Sequence, residues 1–176
     1  MRTVEIKVYR FDELSEKAKD KAKQSYMELW GYSWQDDAIA SLKALAEAFG
    51  AKLRDYEIDF FNVSHSCANF DAPTLSRREI KKILAGLGTY DPKTLRGHGD
   101  CKLTGYCMDE DALDGFRRAF VGGESDLGIL LKAGFISWLE AAHADCKYQY
   151  ENAQFSDHCD ANNYEFYEDG RRAMVG

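Results

Sequence analysis

One long apolar periodicity constrains this chain more than any other feature. Over residues 125–150, Leu127, Leu131, Gly134, Trp138, Ala142 and Cys146 recur on one face of a helix. At ~1.5 Å per residue such a helix spans roughly 39 Å, the length of a small domain. At 176 residues the chain is long enough to bury most of its apolar surface without staples, and a single domain over 1–176 is expected.

The remaining segments read as a mixture of strands and shorter helices. "TVEIKVYRF" at 3–11 sets Val4, Ile6 and Val8 against Glu5, Lys7 and Arg10, the alternation of a half-buried strand. Ser15 is placed to cap a helix whose Ala18, Ala22, Ser25, Tyr26 and Leu29 share a face, with Gly31 ending it. Ser33 and Asp36 resemble a capping arrangement for a second helix, with Ile39, Leu42, Leu45, Ala46 and Phe49 aligned and Gly50 as its stop.

A second strand is expected over 52–63, with Tyr56, Ile58 and Phe60 on one side, followed by a loop at 64–73. Ser76 and Glu79 form a capping box before Ile80, Ile83, Leu84 and Leu87, a short basic helix ended by Gly86 or Gly88. The two turn clusters in 89–100 mark a mobile loop. "CKLTGYC" at 101–107 reads as a third strand. Asp109 caps a helix through Ala112, Phe116 and Phe120 that Gly122 and Gly123 break. After the long helix comes a short break at 152–157.

"NNYEFYEDGRRAMV" reads as a terminal hairpin turning at Asp169 and Gly170, with Tyr164 and Phe166 packed against the sheet and the long helix. Asn162 and Asn163 suit the corner before it, because asparagine tolerates left-handed backbone. The expected class is α+β: a small, mainly antiparallel sheet of about four to five strands with five to six helices.

Composition narrows the function. The mixture of 45% hydrophobic and 30% charged residues is that of a folded chain, and two prolines with no Ser/Gly-rich stretch leave no linker. No apolar span reaches membrane length and the first residues lack a signal-peptide core, so a cytoplasmic protein is expected. Cys67, Cys101, Cys107, Cys146 and Cys159 are odd in number and never spaced CxxC, which fits reduced thiols. A formal charge of −7 argues against sequence-independent binding of nucleic acid over the whole surface. The charge is also blocked. From Asp145 to Gly170 seven acids face one base, whereas from Arg77 to Lys102 seven bases face three acids.

The chemical motifs are sparse, and no cofactor is implied. No phosphate-cradling glycine loop or nucleophile elbow is present. The alternative of a zinc-stabilised domain or metal-dependent enzyme rests on His98, Cys101 and Cys107, but HxxC is a poor match to the paired spacings that zinc favours. His98 beside Cys101 also raises a thiol nucleophile with its base, which would need an oxyanion hole that the loop sequence RGHGDC does not identify. Asp109 and Asp111 sit at a helix start, where the dipole favours anions.

Two surfaces remain. The acidic and aromatic end, with Asp157, Asp160, Glu165, Tyr167 and Glu168 outermost, suits a cationic groove on a partner protein. The basic helix, with Arg77, Arg78, Lys81 and Lys82, suits an acidic partner or, in a third reading, DNA.

Three stretches carry a resemblance: "VYRFDELSEKAKDKA", "LTGYCMDEDALDGFRRA" and "CKYQYENAQFSDHCDANNYEFYEDGRR". They resemble, in order and over about half of the chain, a family of small proteins carried by tailed phages and prophages, some of which are labelled antitoxins of toxin–antitoxin systems. Related chains often show a Gly-rich polar loop after the second strand, where this one has "NVSHSCANF". The resemblance brings no catalytic residues. It implies a non-enzymatic phage protein that binds a host or defence-system protein, with inhibition of a system such as CRISPR–Cas as its most specific form.

Overall fold

The computed structural model describes residues 6–173. It is α+β, with six α-helices and one two-stranded antiparallel sheet among those residues. The chain divides into two compact units, one holding the described residues 6–33 and 146–173, the other Trp34–Asp145.

In the first unit, a 3-10 turn at Phe11–Glu13 leads into α1, Glu16–Trp30. Ser15 caps α1 as expected, its hydroxyl accepting from the Ala18 amide at 3.3 Å. Gly31 ends the helix with φ of 61°, a conformation that glycine adopts freely. Ala18 and Ala22 are buried, and their small side chains let the segment around Phe11 and Phe166 approach closely. Leu29 departs from the expectation. It lies in the last turn of α1 and is 78% exposed.

The break expected at 152–157 is instead the start of a helix, α6, Asn152–Ala161. It buries Phe155, Ser156 and Cys159, a spacing of three and four that its polar residues conceal. The Ser156 hydroxyl donates to Asp12 at 2.6 Å.

The outer strands are shorter than the alternation suggested. Residues 3–5 lie outside the described residues, and 6–10 make one bridge, Tyr9 with Phe166, whose amides and carbonyls pair at 2.8 and 2.9 Å. At the C-terminal end Phe166 bridges Arg172 around a turn in which the Gly170 amide donates to Tyr167 O. The expected turn residues are in place. Asp169 accepts from the Arg171 amide, and Gly170 takes φ of 83° directly against the Ala18 backbone, where a Cβ would overlap the carbonyl. Phe166 is buried, as expected, but its neighbours are Phe11, Leu14, Ala18, Ala22 and Phe155, not a sheet.

The second unit contains the sheet. Helix α2, Gln35–Ala48, buries Ala38, Leu42, Leu45 and Ala46, and Ser33 does not cap it: Trp34 occupies that position without a side-chain bond. Its end is a Schellman motif. The Gly50 amide bonds Glu47 O, the Ala51 amide bonds Ala46 O, and Gly50 has φ of 70°. Strand β1, Lys52–Glu57, pairs with β2, Cys67–Asp71, from Lys52 opposite Asp71 to Glu57 opposite Cys67. The strand expected to 63 stops early because Asp59 captures the Phe61 and Asn62 amides on its carboxylate, a side-chain turn that competes with a ladder. The loop expected at 64–73 supplies β2, whose sequence CANFD lacks β-branched residues.

Helix α3, Arg77–Gly86, carries the expected capping box: the Glu79 amide donates to Ser76 Oγ and the Ser76 amide to Glu79 at 2.8 Å. The strand expected at 101–107 is absent. Asp109, 1% exposed in the first turn of α4, Met108–Val121, draws the Thr104 and Gly105 amides onto its carboxylate at 2.8 Å each. Those donors would have served a strand.

Helix α5, Leu127–Gln149, is the expected long helix, and Leu127, Leu131, Trp138, Ala142 and Cys146 are buried on it. It crosses α4 through glycines, Gly115 facing Ala133 and Ser137, and Gly134 facing Ala112. Among the described residues the sheet has two strands rather than four or five: the 101–107 segment gave its amides to a side-chain carboxylate, and the described ends of the chain keep isolated bridges. No helix among the described residues is long and apolar enough to cross a membrane.

Candidate interaction surface

In the first unit α1, α6 and the C-terminal turn enclose a narrow apolar cleft. Its walls are Tyr26, Phe155, Tyr164 and Phe166, with Leu29 and Trp30 beside them, and about 50 Å3 of room remains inside. The rings are held by one another: Tyr26 stands edge-on to Phe155 at 5.4 Å and to His158 at 5.1 Å, and His158 edge-on to Tyr164 at 5.7 Å. The Arg172 guanidinium sits 3.6 Å above the Tyr164 ring, closing one side by a cation–π contact. Leu29 and Trp30 project from the helix end at 78% and 62% exposure, an apolar pair that α1 leaves uncovered.

Two phenols and one thiol here have raised pKa values. Burial raises the Tyr26 phenol, and the nearby Tyr164 and Cys159 add to it. Burial pushes the Tyr150 phenol up as well, and its hydroxyl donates to Gly31 O at 2.8 Å. The Cys159 thiol is pushed up to about 12, first by burial and then by Asp160. A thiol so placed is a small hydrophobe, not a nucleophile. The cleft can hold an apolar side chain.

Tyr164 is also a wall of a second, polar groove of about 380 Å3, formed with Arg10, Asp160, Asn163 and Glu165. Asn163 makes the corner with φ of 52°, as its position suggested. The structure thus brings Asp160 and Glu165 together. Asp157 is exposed on α6, Glu168 is exposed in the turn, and Tyr167 is half-buried with the Arg171 guanidinium 5.6 Å from its ring. Asp169 is held down to about 2 by the Arg171 amide and by Lys21. Leu29, Trp30, Tyr26 and Arg172 were not legible as surface residues. The available signal was a helix face that widens from alanine to Leu-Trp immediately before its terminal glycine.

In the second unit the basic helix divides. Arg77 is structural, its guanidinium donating to Phe120 O at 2.7 Å and Glu124 O at 2.9 Å and lying 4.1 Å over the Phe120 ring. Arg78, Lys81 and Lys82 are exposed and make no ion pair among the described residues.

The His98, Cys101 and Cys107 set does not converge: among the described residues no group of three or more histidine, cysteine or carboxylate side chains is arranged to hold a metal ion. Burial raises the Cys101 thiol, the reverse of what a nucleophile needs. The notable polar cluster is instead Arg117, 1% exposed, paired with Glu110 at 2.9 Å and Asp114 at 3.4 Å, with its guanidinium 4.8 Å from the Tyr90 ring.

No family model matches the sequence, and no match is found among the curated proteins or the solved structures.

Proposed function

We propose that this chain is a non-enzymatic, phage-encoded binding protein that engages a host or defence-system protein, an anti-CRISPR or other anti-defence inhibitor being the most specific form. The phage context rests on the resemblance of its three sequence stretches. The observation that carries the binding reading is Tyr164, one side chain that walls both the apolar cleft and the groove containing Asp160 and Glu165. With Leu29 and Trp30 exposed beside it, this surface suits a partner segment offering a short aliphatic anchor next to a basic side chain.

The test is a quantitative pull-down from infected-host lysate with the wild type, Trp30→Ala and Glu165→Lys. A stoichiometric partner retained by wild type and lost by both variants supports the reading. A partner indifferent to both variants, or a turnover activity of the purified protein with no partner, overturns it.

A second reading, an antitoxin-like DNA-binding protein, draws on the three exposed bases Arg78, Lys81 and Lys82. It requires retardation of duplex DNA that weakens steeply with salt and disappears when these three are replaced by serine.

A further inference from the structure

Helix α5 is apolar on nearly every side. From Leu127 to Ala144 its only charged side chains are Lys132 and Glu140. A helix of that composition belongs in a core, with neighbours all round, yet one stripe of it is open. Ile129 is 52% exposed and Ile136 54%, seven residues apart, and Lys132, Glu140 and Ala144 continue the same exposed face. Neither Lys132 nor Glu140 makes an ion pair among the described residues. At ~1.5 Å per residue they stand roughly 12 Å apart along the axis, too far to pair with each other.

The order of these residues is self-complementary. Lys132 lies four positions before Ile136 and Glu140 four positions after it, both on the face that Ile136 occupies. If two copies of the helix lie antiparallel with Ile136 on the two-fold axis, each Lys132 faces Glu140 of the other copy and the two Ile136 side chains meet. Small or half-buried positions flank the stripe: Gly128, Ala133 and Ala141 keep its surface low enough for close approach. A parallel arrangement would set Lys132 against Lys132 and Glu140 against Glu140.

We infer that the exposed stripe of α5 is the interface of an antiparallel homodimer, with Ile136 at its centre and two symmetric Lys132–Glu140 pairs on its rim. The occupant is a second copy of this chain, because the charge pattern matches itself when reversed. The surface is distinct from the cleft and groove at Tyr164, so its test is independent of the partner proposed there.

The experiment is sedimentation velocity on the full chain from low to high micromolar concentration. Wild type is expected to pass from monomer to dimer over that range. Lys132→Glu alone and Glu140→Lys alone should each weaken the dimer roughly tenfold or more by placing like charges opposite one another. The double exchange Lys132→Glu with Glu140→Lys should return the dissociation constant to within about threefold of wild type, as coupled neighbours do. Ile136→Glu should leave a monomer with an unchanged circular dichroism spectrum. A wild-type chain that stays monomeric at all concentrations overturns the inference, as when another segment covers the stripe. So does a dimer that Ile136→Glu leaves intact, or one that the double exchange fails to restore.

Discussion

Gly115 of α4 lies so close to Ala133 of α5 that a Cβ at position 115 would overlap the Ala133 carbonyl oxygen. The contact is reciprocated by Gly134, where a Cβ would stand 2.9 Å from both Ala112 O and Leu45 Cδ2. The two helices therefore touch backbone to backbone. Gly115→Val should destabilise the protein by about 1–3 kcal/mol or more, as overpacking does. Gly86→Ala, at a site with nothing within 4 Å, should be neutral or stabilising by up to about 1 kcal/mol. Urea denaturation of the two variants checks the contrast. Equal losses in both would contradict the close approach.

Phe166 is 3% exposed and stands edge-on to Phe11 at 6.1 Å, whereas Glu165 and Glu168 face outward. Phe166→Ala is expected to cost about 3–5 kcal/mol. Replacing Glu165 and Glu168 together by lysine should leave the melting temperature within a degree or two, since neither makes an ion pair among the described residues, and should slow association with a cationic partner at low salt. Thermal melts and stopped-flow binding separate the two roles.

Asp109 holds the segment before α4 in place, accepting from the Thr104 amide, the Gly105 amide and, at 2.9 Å, the Thr104 hydroxyl. Asp109→Ala removes a buried charged acceptor and strands two amides, a loss of about 1.5–3 kcal/mol or more. Hydrogen exchange should show the Thr104 and Gly105 amides losing protection first, while those of α2 remain slow.

Arg117 neutralises Glu110 and Asp114 inside the second unit, and its Nε and Nη2 have no bonding partner among the described residues. Arg117→Ala should cost about 3–5 kcal/mol, because it leaves two carboxylates without their cation. The paired change Arg117→Met with Glu110→Leu should recover part of that loss, since it puts apolar volume in place of one of the two carboxylates that Arg117→Ala strands. Denaturation midpoints of the two variants decide it; a double variant no better than Arg117→Ala refutes the account.

Burial of the Cys159 thiol makes stability fall in alkali. Below the ordinary thiol value of 9.0 folded and unfolded chains both carry the proton; between there and about 12 only the unfolded chain ionises, so stability declines as pH rises across that window. Asp169 acts at the other extreme: its depressed carboxyl contributes above the ordinary value of 3.8, and that contribution is lost as pH falls to about 2. Alkylation at neutral pH with mass-spectrometric readout should label exposed Cys67 and Cys107 first, with Cys146 and Cys159 reacting only on unfolding. Early labelling of Cys159 would contradict its burial.

The helices were legible wherever the code is local. Ser15, the Ser76–Glu79 box, Gly31 and Gly50 mark ends by the bonds or dihedrals of a few adjacent residues, and the spacing of Leu127, Leu131, Trp138 and Cys146 marks the buried face of α5 without reference to any neighbour. The turn at Asp169 and Gly170 belongs with them. Strands need a partner that local pattern cannot name. Alternation near 3–11 and the apolar residues of 101–107 read as strands, yet Tyr9 found a single bridge to Phe166, and Asp109 claimed the amides of Thr104 and Gly105. The surface followed the same division. Sequence alone determined which residues are charged and that the acids gather at one end of the chain. Only tertiary structure decided that Asp160 and Glu165 share a groove with Tyr164, that Arg77 is bound to carbonyls while Arg78, Lys81 and Lys82 are exposed, and that Leu29 and Trp30 stay uncovered. Periodicity says which face of an element is apolar, but what meets that face is set by contacts between residues far apart in the chain.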